Sequence, residues 1–236
     1  ERIFVEFRKA LNSIHPRRFF EEMLNTGALN IWFPEIVRCF GVPQDTKHHP
    51  EGHVFEHLMQ SLEYIINYTD KGHIRFAVLV HDIGKGYTPY QEWTSHYRHS
   101  KKGIKPLKNL AKRLGLPNKW YNTAKLVIEE HMRALRWKEM NPGKVVRLFE
   151  RIRNSAINIE EFVHIINADK HGRGKNTTYN GMQGICELYY EMYEQTNGNM
   201  IDHDRYSGKD IGEQLFQMRC HWLKRNRNKL LKELDN

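Results

Sequence analysis

Three features of the 236-residue chain predict an all-α fold. Apolar residues recur at three- and four-residue intervals in segment after segment, which is the spacing of one helical face. No run alternates apolar and polar residues over a useful strand length, and no internal repeat is present. The punctuation is helical as well, with prolines opening segments and glycines closing them.

In chain order, PRRFFEEMLNTG predicts a helix that starts near Pro16 and ends at Gly27. GVPQDTKHHP, Gly41 to Pro50, reads as a loop, and a helix follows from about Val54 to Tyr68. The apolar HIRFAVLV helix is next, then a polar loop through His96. Ile104, Leu107, Ala111 and Leu114 share one face of another helix, closed by Gly115-Leu116-Pro117. Further helices are expected at about 119–134, 142–153, 158–170, 181–196 and 208–234. In the last of these, Ile211, Leu215, Met218 and Trp222 form a stripe expected to pack on the core.

Composition narrows the function classes. No run approaches the ~20 apolar residues that cross a bilayer, and no signal peptide opens the chain, so no membrane role is expected. Cys39, Cys186 and Cys220 stand far apart with no paired spacing. They read as ordinary thiols in a reducing, cytoplasmic setting rather than as a disulfide frame or a zinc site. Against 28 acidic residues stand 37 basic ones, a net charge of +9 that suits a polyanionic partner. Six Lys or Arg and no acid lie between Arg219 and Lys232, which reads either as a solvated face or as a phosphate-tracking one. Fourteen histidines exceed the ~2% of ordinary composition.

Several of those histidines, and two aspartates, sit where the helical pattern asks for an apolar residue. His57 shares a face with Val54, Ser61 and Ile65; His81 and Asp82 fall four residues after Ala77 and Val78. His131 falls four after Val127, and Asp169 four after Ile165. A single such histidine is ordinarily a hydrogen-bonded core residue, and an inward aspartate can cap a helix or pair with an arginine. Five from four helices are better explained by a metal ion, because a buried unpaired carboxylate costs several kcal/mol. Imidazole and carboxylate donors suit Mn, Fe, Co, Ni or Zn, with Mg also accommodated, and no thiolate set selects zinc. Lys85, three residues past Asp82, is placed to meet a phosphate oxygen, and Gly84 and Gly86 are expected to let the backbone turn close to the ion. Arg173, four after Asp169, is a second expected phosphate contact.

His57, then His81-Asp82, then Asp169 follow the H…HD…D order of the HD-domain metal phosphohydrolases. The stretches HPEGHVFEHLMQSL, RFAVLVHDIGKGYTP, HYRHSKKG and NADKHGRG, with FFEEMLNTGALNIWFPEI before and GKDIGEQLFQMRCHWL after, resemble the HD-domain body of bacterial CCA-adding enzymes (tRNA nucleotidyltransferases). No Gly-Gly followed by the DxD of a nucleotidyltransferase head is present, so CCA addition by this chain is not expected.

The resemblance implies an HD helical bundle at 45–175, flanked by helical segments at 1–44 and 176–236. It implies metal ligands at His57, His81, Asp82 and Asp169, second-ion ligands at His99 and His131, and one or two divalent ions. Asp82 and Lys85 would be catalytic; Lys85, His96 and Arg173 would contact substrate. The implied activity is 2′,3′-cyclic phosphodiesterase, 2′-nucleotidase or phosphatase action on nucleotides or RNA 3′ ends, tRNA included. Two alternatives stay open: a nucleotidase or dNTP hydrolase using the same ligands, and a non-catalytic tRNA-binding body. The chain departs from the family pattern at His53 (usually Asp), Leu58 (often Thr), Arg98 (usually Gly) and Lys170-His171.

Overall fold

The computed structural model describes residues 2–174 and 179–234. Twelve α-helices are found among them and no β-strand; Pro43 and His53, and Gln44 and Thr94, form only isolated bridges. The all-α expectation therefore holds.

The apolar helix expected before the His-Asp pair becomes α6 (Gly72–Val80), whose residues from His73 onward are all buried. Around it pack α1 (Arg2–Asn12), α5 (Val54–Ile65), α8 (Asn118–Ala134) and α10 (Ile159–His171). A helix buried on every side has no polar face, which is why its sequence reads as a continuous apolar run. The 3-10 turn Ile83–Tyr87 that follows lies against α7 (His99–Leu114). On the far side, α9 (Pro142–Arg153) carries α12 (Lys209–Leu234), with α11 (Ile185–Glu194) against α12 and α10.

Local chemistry sets the helix ends. Pro142 opens α9 behind Asn141, whose side chain accepts from the Lys144 N–H. Asn158 and Glu161 form a reciprocal capping box at the start of α10. Gly115, at φ 65°, ends α7 in the left-handed region that glycine adopts freely.

The amino-terminal helices add α1, α3 (Ala28–Trp32) and α4 (Pro34–Val37) to the expected α2 (Pro16–Asn25). Their apolar signal is short, since α1 buries only Phe7 and Leu11 outright. Phe7 nevertheless sits among the rings of Phe20, Phe33, Phe76 and Trp120, at centroid distances of 5.0 to 6.5 Å. Each such buried ring contributes about 2–3 kcal/mol. Arg75, buried on α6, donates to the carbonyls of Leu11 (2.6 Å), Thr69 (2.8 Å), Ser13 (3.3 Å) and Ile66 (3.3 Å), and so satisfies the open ends of α1 and α5 together. Arg75→Leu would orphan these acceptors.

The stripe expected on α12 is displaced. Leu223 is its buried residue, and Phe216, Cys220 and Trp222 pack beside it on the core. Ile211, Leu215 and Met218 are only partly covered. The arginines of 147–153 each have a protein contact, although Arg147 and Arg153 stay exposed: Arg147 lies over Phe216 (5.3 Å), Arg153 over Tyr193 (4.2 Å), and Arg151 pairs with Glu129 and Glu130. No helix among the described residues is long and apolar enough to cross a membrane.

Candidate metal centre

The side chains read from the sequence as His57, His81, Asp82, His99, His131 and Asp169 converge on one buried point from α5, the end of α6, α7, α8 and α10. His57 Nε2 lies 3.2 Å from His81 Nε2 and 3.3 Å from Asp169 Oδ1. Asp82 Oδ2 faces this group, 3.4 Å from His81 Nε2 and 3.7 Å from His57 Nε2. Its other oxygen, Oδ1, lies 3.1 Å from His99 Nε2 and 3.3 Å from His131 Nε2. Asp82 thus stands between two donor groups, with one oxygen turned to each.

The opposite edge of each ring fixes its proton. Nδ1 of His81 donates to the Val78 carbonyl (2.7 Å), of His99 to His96 O (3.0 Å), and of His131 to Val127 O (3.0 Å). Nδ1 of His57 has Glu51 Oε1 at 2.9 Å and Gly172 O at 3.2 Å. With Nδ1 engaged in this way, each ring turns Nε2 inward as the nitrogen able to offer a lone pair to a metal ion. Lone pairs and carboxylate oxygens facing one another at 3.1 to 3.8 Å repel unless a cation lies among them. Asp82 Oδ1 is also buried without a hydrogen-bond partner. The donor set fits a divalent metal ion: His57, His81 and Asp169 form one group able to hold it, and Asp82, His99 and His131 another.

Electrostatics agree. Burial alone would raise the Asp82 pKa, but Lys85, His81, His99 and His131 outweigh it and hold the group well below the usual carboxylate range. Asp169 is held down in the same way by His57, His81 and Arg173 against burial. His57 is raised, since its bonds to Asp169 and Glu51 overcome the opposing effect of burial. That surplus of acceptors is the demand a cation answers.

A cavity of about 570 Å³ opens onto the centre, lined by Asp82, Lys85, His99, Asp169, Lys170 and Arg173 among others. Lys85 Nζ lies 2.6 Å from Asp82 Oδ2 and donates to Gln44 Oε1 at 2.5 Å, leaving its third proton for the cavity. Arg173 approaches Asp169 (3.5 Å), donates to the His48 carbonyl (3.2 Å), and has a buried Nε without a partner. His96 lines the cavity with both ring nitrogens engaged, Nε2 on Pro43 O and Nδ1 on Thr88 Oγ1, each at 2.9 Å. In this arrangement it braces the 43–44 segment against the 85–88 turn.

Several features were not expected. Glu51 anchors His57 from behind and also accepts from His49 (2.8 Å) and Gln44 (3.2 Å). His53, in the place the family gives an aspartate, is an exposed amino-terminal cap of α5 that makes no capping bond. Arg98 has φ 57°, the left-handed region, which explains the family's glycine there; Thr94 and His96 share that region. Gly84 serves packing rather than approach to an ion: a Cβ there would fall 2.0 Å from the His99 carbonyl and 2.6 Å from Gly103 N. A Cβ at Gly86 would fall 2.8 Å from the Arg38 carbonyl.

Residues 1–39 match the family described as the probable RNA and SrmB-binding site of polymerase A. The chain is 36% identical over 204 residues to the multifunctional CCA protein of Haemophilus influenzae (strain PittGG), covering 82% of this chain and 49% of that one. It is 33% identical over 228 residues to the multifunctional CCA protein of Nitrosococcus oceani, covering 95% of this chain and 56% of the relative. It is 32% identical over 239 residues to that of Shewanella denitrificans, covering 100% and 58%. The chain spans about half the length of these relatives. The HD-domain family model matches residues 53–231, the span that carries every residue of the metal centre, and the chain belongs to the HD-domain family.

Proposed function

We propose that this protein is a divalent-metal-dependent phosphohydrolase acting on phosphate esters of nucleotides or RNA 3′ ends, with 2′,3′-cyclic phosphodiesterase, 2′-nucleotidase or phosphatase activity. The observation that carries the reading is the placement of Asp82 between two donor groups, one of two imidazoles and a carboxylate (His57, His81, Asp169) and one of two imidazoles (His99, His131). His57, His81 and Asp169 would hold one ion and Asp82, His99 and His131 a second, from the series Mn, Fe, Co, Ni and Zn, with Mg accommodated. Bound there, the ions supply Lewis acidity toward a phosphoryl oxygen and toward water.

The protein's own groups do the rest. Lys85 offers its remaining proton to a phosphoryl oxygen while its bond to Asp82 holds that carboxylate ionised. Arg173 and Lys170 add positive charge at the cavity wall, where a phosphate ester gains hydrogen bonds that deepen as charge builds in the transition state. Glu51 orients His57, and the main-chain carbonyls behind His81, His99 and His131 hold those rings in the tautomer that presents Nε2. The relatives' name, multifunctional CCA protein, supports the tRNA 3′ end as the natural setting.

The test is hydrolysis of 2′,3′-cyclic AMP by metal-stripped protein, with Mg, Mn, Co, Ni or Zn restored one at a time and Asp82→Ala alongside. Metal-restored turnover that disappears in the variant is the expected result. Turnover of dNTPs or mononucleotides alone would move the reading to a nucleotidase. A second reading, a tRNA-gripping body without catalysis, is favoured by the match of residues 1–39 and by the charge of +9. It would prevail if tRNA bound while no metal restored turnover of any of these substrates.

A further inference from the structure

α7 carries the second-group ligand His99 in its first turn and then runs away from the metal centre. Its sixteen residues, HSKKGIKPLKNLAKRL, contain no acid. Lys101, Lys105, Lys108 and Lys112 are all exposed and fall at i, i+4, i+7 and i+11, which places them in one stripe about 16 Å long. The other two cations of the helix are occupied, Lys102 by Glu92 and Arg113 by Glu35. None of the four stripe lysines has an ion pair or hydrogen bond among the described residues.

A lysine row by itself is a solvated face. Here it borders a second, half-open cavity of about 430 Å³, lined by Tyr87, Pro89, Lys101, Lys102, Lys105 and Pro106 among others. This cavity neighbours the metal cavity along the chain: Lys85 and His99 line one, Tyr87 and Lys101 the other. Aromatic surface lies close by on the segment joining the 85–88 turn to α7. Tyr90 is 75% exposed and Tyr97 60% exposed, against the general burial of large aromatic rings. Left-handed φ values at Thr94, His96 and Arg98 shape that segment, and the Gln44–Thr94 bridge and the His96 hydrogen bonds hold it. Backbone strain of this kind persists only where surrounding contacts fix it.

We propose that the cavity beside Tyr87 and the lysine stripe of α7 bind the single-stranded segment leading to an RNA 3′ end, with phosphates along the lysines and a base against Tyr90. Evenly spaced cations beside exposed rings are what a single strand recognises, since backbone charge and base faces are both displayed. The proposal rests on the phosphohydrolase reading only for the direction of the strand, and its substrate class is an RNA end rather than a free mononucleotide.

The test compares the parent with the fourfold variant Lys101→Ala, Lys105→Ala, Lys108→Ala, Lys112→Ala, and with Tyr90→Ala, after circular dichroism confirms native helicity. Fluorescence anisotropy follows a short fluorescein-labelled, 2′-O-methyl-blocked single-stranded RNA across a salt series. The fourfold variant should weaken binding by about tenfold or more and lower the slope of log Kd against log salt by about 2–3, while Tyr90→Ala weakens binding with the slope retained. Hydrolysis of 2′,3′-cyclic AMP should change by less than about twofold in both variants. Unchanged RNA affinity and salt slope in the fourfold variant would overturn the proposal. So would an equal loss on the cyclic nucleotide, because the lysines would then serve the metal cavity, and so would polyglutamate competing as well as RNA. If the parent shows no hydrolysis yet binds RNA through these lysines, the surface stands and the hydrolase reading alone fails.

Discussion

Glu51 Oε1 lies 2.9 Å from His57 Nδ1, on the far side of the imidazole from the metal centre. The carboxylate is buried, and its hydrogen bonds from His49 and His57 outweigh the opposing effect of burial and hold its pKa at about 2. An ionised carboxylate in this position fixes the ring orientation and strengthens Nε2 as a donor. Glu51→Gln keeps the shape and removes the charge, so it should weaken metal binding by about 10–100-fold. Calorimetric titration of Mn or Ni into the stripped protein measures it; unchanged affinity would show that the bond to Gly172 O alone orients His57.

The two oxygens of Asp82 predict a divisible centre. His99→Ala removes a donor only from the Oδ1 group and leaves His57, His81 and Asp169 intact, so bound metal should fall by one ion per chain. His131→Ala should do the same, and the double variant should lose no more than either single one, because both complete a single group. Elemental analysis of dialysed protein decides. A centre that empties entirely in His99→Ala would be one cooperative site instead of two.

How much of this centre could be read in the chain depends on how each residue departs from its local pattern. His57, His81, Asp82, His131 and Asp169 are legible because they break a helical apolar period from inside it, a contradiction that only a buried partner resolves. His99 begins α7 directly after an irregular segment, with no period to break, and only the family likeness marks it. Glu51 and Gln44 lie on a stretch without regular structure, drawn in by the bridges of Pro43 to His53 and Gln44 to Thr94, and no local pattern reveals such long-range pairing. The buried face of α12 is not legible because apolar residues occur all round that helix, and only tertiary packing selects Phe216, Cys220 and Leu223. The short α3 and α4 have too few residues for a period to register.

Gly84 couples the metal centre to helix packing. Its missing Cβ lets the turn after Asp82 lie against the His99 carbonyl and Gly103, with hypothetical contacts of 2.0 and 2.6 Å, both to main chain that no rotamer change can relieve. Gly84→Ala must therefore move α7, and overpacking of this kind costs about 2–3 kcal/mol. Because His99 moves with α7, the Oδ1 group should lose affinity as well. Gly103→Ala is the control: its Cβ would meet Gly84 N and Ile128 Cγ2 at 3.3 Å, a tighter fit that small shifts relieve. Denaturant melts should order the two variants in that sense, and equal stability would mean that the interface is softer than its geometry implies.

Acid sensitivity should have a source outside the metal centre. His73, at the start of α6, is buried with an Nε2 that finds no partner, and burial, helped by nearby Lys119, lowers its pKa to about 4 against the weak opposing pull of Glu161. Its unfolded value is 6.5, so between pH 6.5 and 4 the unfolded chain takes up a proton that the folded chain refuses. Stability from this group is complete above pH 6.5 and is lost as the pH falls toward 4. The loss amounts to about 2–3 kcal/mol. His73→Gln cannot titrate there, so urea melts at pH 7 and pH 4.5 should differ less in the variant than in the parent by about that amount. An equal fall in both proteins would place the acid-sensitive step elsewhere, with His49, lowered to about 4 by burial behind the metal centre, as the next group to replace.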